Sequence, residues 1–425
     1  MLVFLTIVVG VTALATIVAG LVLWPADGDR EQILADAREI GLASDRLAGE
    51  IVEATEGTCT YAGDDSSILC RRLTVKILEG PEAGALTILP EYNLNDPRNP
   101  QVNLGDQIVL GYEPQTNFYF FADLDREGSL IWLFALFAVV VLAFGRLRGA
   151  LALLSMALTV IVLVTFVAPT VLDGHDPLLV SVVAASAIAI SGLYLTHGVN
   201  PTTTVALAGT LGALALTLAL AAAFFSAAQF TGLASEEALT LPLLSSEIKM
   251  SSLILGGAVL GALGALDDVT VTQVATIAEL RQQNPLLSRR ELIAAGIRVG
   301  REHIASTVNT LLLAYAGASL PLILLFEVSQ QSLATVANSE LVAVEIARTL
   351  CGSIGLVAAV PLTTSLAAIV VRPPEPPTPK PTEHQQPPTA PPPAEPESAA
   401  PPAPETPGRK ASWDEFSPDT DRDLW

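Results

Sequence analysis

Long apolar runs recur along the whole chain, and each is long enough to cross a lipid bilayer. Helices rise about 1.5 Å per residue, so runs of about 17–24 residues can span a hydrocarbon layer about 30 Å thick. Of the 425 residues, 51% are hydrophobic and only 15% are charged, whereas a soluble domain carries about a quarter charged residues. The sequence therefore predicts an all-α polytopic membrane bundle.

We predict eight transmembrane helices: Leu2–Trp24, Ser129–Gly145, Ala150–Leu172, Pro177–Thr196, Thr202–Phe225, Met250–Leu266, Ser306–Phe326 and Thr349–Val371. The first lacks a basic n-region and a small-residue cleavage site, which favours a retained signal anchor within residues 1–25 over a cleaved signal peptide. Of the basic residues in the short loops between spans, most lie on one side, namely Arg146, Arg148, Arg281, Arg289, Arg290, Arg298 and Arg301. Because this excess marks the cytoplasmic side, we expect both termini to be cytoplasmic.

Residues 26–128 form the one sizeable polar segment between predicted spans, and the topology places them outside the cell. Five β-like stretches follow one another there: "EIVEATEGTCTY", "CRRLTVKILEG", "ALTILPEY", "DQIVLGYE" and "NFYFFADL". Five short strands in such a length predict a small OB-like β-barrel. The segment holds 20 acidic and 8 basic residues, and this balance argues against nucleic acid as a partner.

Cys59 and Cys70 lie at the end of one predicted strand and the start of the next. An oxidising compartment permits a disulfide between them, and two buried thiols are the alternative. At the other end of the chain, residues 372–425 hold 17 of the 30 prolines, which predicts a disordered cytoplasmic tail. Its last residues, "SWDEFSPDTDRDLW", are either without a binding role or a docking motif for a cytoplasmic partner.

No pattern typical of an enzyme is present in the sequence. It contains no Walker or Rossmann glycine pattern, no zinc-binding Cys/His cluster and no Gly-x-Ser-x-Gly elbow. Asp267 and Asp268 are adjacent and point about 100° apart on one helix, whereas an intramembrane aspartyl protease needs aspartates on two helices. We therefore expect no enzyme, no cofactor and no metal, and a membrane enzyme is the least favoured class.

The run "SLILGGAVLGALGALDDVTVTQVATIAEL" places Asp267 and Asp268 directly after a glycine-rich span. Its glycines predict close helix packing. The carboxylates either enter cytoplasmic water at the helix end or bind a cation or proton. If the helix continues, Asp268 and Thr272 share one face and offer oxygen ligands.

Two further polar interruptions follow in the sequence. Ser288 and Glu291 match a capping box, inside a cytoplasmic segment (267–303) that we predict to be amphipathic and to lie on the inner membrane surface. The span after it carries Asn309 and Thr310, and an intramembrane Asn usually bonds a neighbouring helix.

The last span has the highest density of polar signals. Glu345 and Arg348 are three residues apart and can pair, either as a structural salt bridge at the outer interface or as part of a site. Pro361 removes a backbone donor, and Thr363 and its neighbour could satisfy the freed groups. Together with Gly352, Ser353 and Gly355, this predicts a locally opened helix that exposes carbonyl oxygens.

These blocks resemble the YibE/F-like family of bacterial multipass membrane proteins, from about Gly80 through Val371. The family's glycine-rich turn into Asp is matched by Asp268, and its Asn-Thr-Leu span by Asn309 and Thr310. Its Glu…Arg…Gly-Ser-Ile-Gly…Pro-Leu-Thr block is matched by Glu345, Arg348, Gly352, Ser353, Gly355, Pro361 and Thr363. Asp267 and the proline-rich tail go beyond the family pattern. The resemblance implies a multispanning topology and a description as a predicted permease, without a defined activity.

We therefore expect a secondary transporter or permease of an unknown solute or ion in the bacterial plasma membrane, with its membrane domain at 129–371. Its candidate site comprises Asp268, Asn309, Thr310, Glu345 and Arg348, supported by Asp267, Thr272, Gly352, Ser353, Gly355, Pro361 and Thr363. The alternative is a non-transporting scaffold or sensor. In that case segment 26–128 binds an envelope partner and the tail, 372–425, binds a cytoplasmic one.

Overall fold

The computed structural model describes residues 1–25, 28–39, 44–60, 68–97, 99, 101–245 and 247–371, and the predicted disordered tail lies outside them. Within the described part, six helical elements are long and apolar enough to cross a membrane. They are α1 (Leu2–Val22), a composite element of α3 (Glu127–Val162), a π-helical turn (Leu163–Val167) and α4 (Ala168–Leu172), α5 (Pro177–His197), α6 (Pro201–Ala227), α8 (Met250–Gln283) and α12 (Glu340–Val370). Shorter helices join them: α2 (Gly28–Glu39), α7 (Glu236–Leu244) and α11 (Leu333–Asn338).

The eight predicted spans are not confirmed as a count. Ser129–Gly145 and Ala150–Leu172 fall within one 46-residue element, Glu127–Leu172. This element is broken at Arg146, whose φ of 50° and ψ of −129° are not helical. A Cβ on Gly149 would collide with the Val141 carbonyl, so the chain folds back on itself at the break.

The predicted span Ser306–Phe326 is divided between two helices. They are α9 (Arg289–Ala318) and α10 (Leu320–Val328), which are bent by 59° at their junction. Pro321 lies in the first turn of α10, where a missing N–H leaves no helical hydrogen bond unmade. Counted as one broken span, the pair brings the number of candidate spans among the described residues to seven.

The start of α9 confirms the predicted capping box. The Ser288 hydroxyl accepts the Glu291 N–H at 3.3 Å, and the Glu291 carboxylate accepts the Ser288 N–H at 2.8 Å. The predicted surface-lying segment, in contrast, is not separate from the span that follows. Its residues 267–283 belong to α8, and its residues from Arg289 onward form the first half of a continuous α9, whose Gly296 and Gly300 are buried against α8 and α12.

Prolines and polar caps fix where the central helices begin. Pro177 and Pro201 occupy the first turns of α5 and α6, where proline is favoured because no N–H is needed. The Asp176 carboxylate accepts two N–H groups of the first turn of α5, at 3.0 and 3.2 Å. The Asn200 side chain accepts an N–H of α6 at 2.8 Å. Local sequence therefore defines both starts.

The core of the bundle lies where α6, α8 and α12 meet, flanked by α5 and α9. Leu207, Leu266 and Leu356, one from each central helix, are fully buried in one cluster. Small residues set the helix spacing: Gly209 lies directly against Thr363, and Gly355 directly against Thr217. Backbones can approach closely at such positions, as is common between membrane helices.

Six strands form one antiparallel sheet in the order β3-β2-β1-β5-β6, with β4 paired to β2. They are β1 (Asp45–Thr58), β2 (Leu69–Ile77), β3 (Leu86–Ile88), β4 (Tyr92–Asn93), β5 (Gln107–Glu113) and β6 (Phe118–Leu124). Five of them match the predicted stretches. A β3–β6 pairing that would close the sheet is absent among the described residues, so the small sheet is confirmed and the OB-like barrel is not.

Cys59 and Cys70 form the predicted disulfide between β1 and β2, with their Cα atoms 4.9 Å apart. Residue 70 pairs in register with Gly57, so the bond lies at the end of this strand pair where the connecting loop joins the two strands. The third cysteine, Cys351, is a free thiol buried in α12.

Candidate functional site

One face of α8 carries the glycines and the carboxylate that the sequence singles out. Gly257, Gly261, Gly264 and Asp268 follow at spacings of four, three and four residues, which places them on one side of a helix with about 3.6 residues per turn. We refer to these four residues as the glycine stripe. The helix continues beyond Asp268 to Gln283, so Asp268 lies within a helix rather than at its end.

The N-terminal end of the stripe, on the side where α8 begins, lies beside Arg348 of α12. The position of a Cβ at Gly257 would be 3.8 Å from Nη2 of Arg348. Nη1 of Arg348 lies 2.9 Å from Oε1 of Glu345, so the predicted ion pair is present, with side chains that are 22% and 31% exposed respectively. Nε of Arg348 is buried and has no hydrogen-bond partner among the described residues. One N–H of the guanidinium is thus left without a partner in this part of the structure.

The middle of the stripe is approached by Tyr315 of α9. Its hydroxyl oxygen lies 3.0 Å from the position of a Cβ at Gly261, so a larger residue at 261 would displace it. One turn further along, no atom lies within 4 Å of a Cβ at Gly264. The stripe is therefore open between Tyr315 and Asp268.

At the C-terminal end of the stripe, Asp268 faces His303 of α9. Oδ2 of Asp268 and Nε2 of His303 are 3.7 Å apart, which is longer than a hydrogen bond. Asp268 is exposed, and its backbone carbonyl accepts the Thr272 hydroxyl at 2.8 Å. Asp267 is half-buried instead, and its Oδ1 has no hydrogen-bond partner in the described structure. The adjacent carboxylates thus occupy different environments.

A cavity of about 300 Å³ adjoins the N-terminal end of the stripe. Its wall is mostly apolar, and its charged lining residues are Glu340, Glu345 and Arg348. Glu340 also fixes the neighbouring loop, because its carboxylate accepts the N–H groups of Thr231 at 2.7 Å and Gly232 at 2.6 Å. The cavity therefore has a fixed wall and ends at the Glu345–Arg348 pair.

The five residues of the predicted site do not gather in one pocket. Glu345 and Arg348 meet at Gly257, whereas Asp268 lies 11 residues further along α8, about 16 Å at about 1.5 Å per residue. Asn309 and Thr310 are exposed on α9, and the Thr310 hydroxyl donates to the Ser306 carbonyl at 3.0 Å. Two separate pairs of ionisable side chains, Glu345–Arg348 and Asp268–His303, lie along a face of glycines in place of the single predicted cluster.

The supporting residues of α12 pack against neighbouring helices, and the helix stays closed at their positions. α12 runs without a break from Glu340 through Pro361 to Val370, so the predicted local opening is not observed. Gly352 lies 3.9 Å from Ala262 of α8 by its Cβ position, and Gly355 lies against α6. Only glycine fits at 355, because a Cβ there would collide with the Thr217 side chain, whereas a Cβ at 352 would make an ordinary van der Waals contact. Oγ of Ser353 and Oγ1 of Thr363 are buried without a partner among the described residues.

Three central polar contacts were not predicted from the sequence. The Gln273 side chain is 3% exposed and donates to the Gly296 carbonyl at 2.7 Å and to the Thr364 hydroxyl at 2.8 Å. The hydroxyls of Thr210 and Thr270 meet at 2.6 Å between α6 and α8. The contact of Gln273 could have been predicted, because Gly296 and Gly300 have the spacing typical of a close helix contact. The sequence gives no comparable signal for the Thr210–Thr270 contact.

A family model described as YibE/F-like protein matches residues 133–373. The chain belongs to the YibE/F-like family. The match covers α8, α9 and α12, which carry the glycine stripe and its partners. It begins at 133 rather than near Gly80, so the sheet of this YibE/F-like protein lies outside the match. No curated protein and no solved structure matches the chain.

Proposed function

We propose that this YibE/F-like protein is a multispanning permease, a secondary transporter whose path follows the glycine stripe of α8. One observation carries the proposal: the stripe connects an ion pair, Glu345–Arg348, to a second ionisable pair, Asp268–His303, and leaves the space beside Gly264 open. Ionisable residues within membrane helices are costly, and they typically mark substrate or ion pathways.

The chemistry of the stripe favours a small charged or polar solute. From the outer cavity a solute would meet Arg348 and Glu345, then the Tyr315 hydroxyl, then Asp268 with His303. Each end of the stripe combines an acidic and a basic side chain, so a solute of either charge could bind a side chain of opposite charge there. Asp268 is an oxygen ligand for a coupling cation or proton. In this scheme Asn309 and Thr310 are not part of the path.

The proposed topology has eight crossings, with both termini in the cytoplasm of a bacterium and the sheet outside. The break at Arg146 supports counting the two arms of the Glu127–Leu172 element as separate crossings. The Cys59–Cys70 bond supports an external sheet, because disulfides persist in oxidising compartments. The arginine bias of the loops supports the same orientation.

A solute-independent test asks whether water reaches the stripe. Gly264→Cys should react with a membrane-impermeant thiol reagent in intact vesicles. Gly10→Cys is the matched control: no atom lies within 4 Å of a Cβ at either position, but Gly10 is on α1, away from the stripe. If both cysteines are equally unreactive, the stripe is not an aqueous path and the proposal fails.

A second test measures flux in proteoliposomes that contain a pH-sensitive dye. Asp268→Asn should abolish proton flux driven by a sodium or potassium gradient. Glu302→Gln removes the same charge from an exposed neighbour of His303 and should leave the flux unchanged. Equal flux in both variants would remove Asp268 from the mechanism.

A scaffold or sensor is the second candidate, and an observation on the sheet favours it. Edge strand β3 pairs only with β2 among the described strands, and its Leu86 and Ile88 side chains are 64% and 65% exposed. Such an edge can accept a strand from an envelope partner. Leu86→Lys with Ile88→Lys should abolish capture of that partner while leaving proteoliposome flux intact. Deletion of 372–425 tests the proposed cytoplasmic partner in the same way.

A further inference from the structure

An apolar groove separates α1 from the composite Glu127–Leu172 element and α5, on other helices than those of the glycine stripe. Its volume is about 520 Å³, and its lining includes Ala13, Gly20, Trp24, Leu158, Phe166 and Ala187. Pockets for small ligands have volumes of about 300–1,000 Å³. The groove is therefore large enough to hold a molecule and not only to reflect loose packing.

The hydroxyl groups in the lining are already used by their own helices. Thr16 donates to the Thr12 carbonyl at 2.8 Å, Thr165 to Ile161 at 2.8 Å, and Ser191 to Ala187 at 2.6 Å. A polar occupant would find no free hydroxyl donor along the wall, and burying its own polar groups without hydrogen bonds would be costly. The wall thus selects an apolar chain.

The local backbone and small side chains keep the groove open. The π-helical turn Leu163–Val167 adds a residue to one helical turn and carries Thr165 and Phe166 of the wall. Turns of this kind are rare and are often found at functional sites. On the opposite wall, Gly20 has no atom within 4 Å of its Cβ position. Position 20 of α1 therefore contributes no side chain to the groove, and the space beside it stays open.

The groove faces the surroundings of the bundle and not its core. In the most apolar stretches of α1 and of the Glu127–Leu172 element, only 11% and 6% of the residues are buried. In a membrane, lipid chains cover such helices. At one end of the groove lies Trp24, 59% exposed, with its ring 6.2 Å from that of Phe166. Tryptophan prefers the level of the lipid headgroups, where its N–H meets polar groups.

We propose that this groove binds one acyl chain of a membrane lipid, with Trp24 at the headgroup end. The occupant is an acyl chain because the wall is apolar, its hydroxyls are internally bonded, and its two outer helices are those left most exposed to the bilayer. The site does not depend on the transport proposal, since no residue of the stripe lines it.

Photolabelling of the full-length protein tests this proposal. The protein is reconstituted in phosphatidylcholine vesicles that contain a phospholipid with a diazirine in the middle of one chain, and the labelled peptides are mapped by mass spectrometry. Labelling should concentrate on the wall residues of α1, of the 158–166 stretch and of α5. Labelling spread evenly over all exposed apolar helices would overturn the site.

Gly20→Leu and Gly10→Leu form a matched pair for this experiment, because both glycines lie on α1 with open space at the Cβ position and only Gly20 lines the groove. Each methylene displaced from an apolar site weakens binding about fourfold. Gly20→Leu should therefore reduce groove labelling about tenfold or more, and Gly10→Leu should not. Equal labelling in the two variants would refute the proposal.

Folding and oligomeric state are checked by gel filtration in detergent before labelling. If Gly20→Leu does not fold, Ala187→Leu fills the groove from α5 and must give the same loss. If filling the groove dissociates a dimer while labelling elsewhere is unchanged, the occupant is a second copy of the chain and the lipid proposal is wrong.

Discussion

The Nε2 atom of Gln273 lies 2.8 Å from the Thr364 hydroxyl, and this contact joins α8 to α12 across 91 residues of sequence. The same amide donates to the Gly296 carbonyl of α9. One side chain therefore holds together the three helices that carry the glycine stripe and its partners.

We predict that Gln273→Leu lowers the free energy of unfolding by about 1 kcal/mol, since interhelical hydrogen bonds in membranes average about 0.6 kcal/mol each. Thermal unfolding in detergent, followed by size-exclusion chromatography, measures the change. Gln283→Leu is the control: that side chain is exposed at the end of α8, and among the described residues it donates to Glu279. Equal effects of the two substitutions would show that the network does not stabilise the bundle.

Local signals in the sequence predicted most of the elements. The capping box at Ser288, the strands of the sheet and the Cys59–Cys70 pair each depend on residues close in sequence. The Glu345–Arg348 pair is one helical turn long, so it was predictable as well. Helix ends were less predictable, because α8 continues through Asp268 where the apolar run stops.

The arrangement of the site depends on contacts between distant segments, which periodicity does not reveal. Nothing local indicates that His303 faces Asp268, 35 residues earlier, or that Gln273 bonds Thr364. The glycines of α12 illustrate the same limit. Their pattern is compatible with an opened helix and with close packing, and only the position of Thr217 against Gly355 decides for packing.

A double-mutant cycle on Glu345→Gln and Arg348→Met should give a coupling energy of about 1 kcal/mol, the range for groups in direct contact. Both side chains are less than one third exposed, so water screens their attraction only partly. Asp123 and Arg126 are the control pair, with the same spacing, a 2.8 Å contact and more than half of each side chain exposed. Their coupling should be below about 0.5 kcal/mol. If the Asp123–Arg126 coupling is as large as the Glu345–Arg348 coupling, solvent exposure does not explain the strength of these pairs.

The sheet should lose stability in acid through Glu91. The Thr60 hydroxyl and N–H and then Arg72 hydrogen-bond its carboxylate, which lowers the pKa of Glu91 below its ordinary 4.5. A carboxyl with a lowered folded-state pKa stabilises the fold above its unfolded pKa, and this contribution is lost as the pH falls through the folded value. The protection factors of the β2 amides in the full chain, which are corrected for the intrinsic pH dependence of exchange, should fall between about pH 5 and pH 3, and less so in Glu91→Gln. An identical pH dependence in the two proteins would exclude Glu91 as the cause.

Gly264 and Gly355 provide a test that separates transport from packing. A Cβ at Gly264 meets no atom within 4 Å, whereas one at Gly355 would overlap the Thr217 side chain. Gly355→Leu should therefore destabilise the bundle by more than about 1–3 kcal/mol, the usual cost of overpacking, and should not accumulate as folded protein. Gly264→Leu should leave thermal unfolding unchanged within about 0.5 kcal/mol. If the stripe is a transport path, the leucine side chain at 264 nevertheless obstructs it, and proteoliposome flux should fall while Tm stays constant. Normal flux in a stably folded Gly264→Leu protein would place the path elsewhere in the bundle.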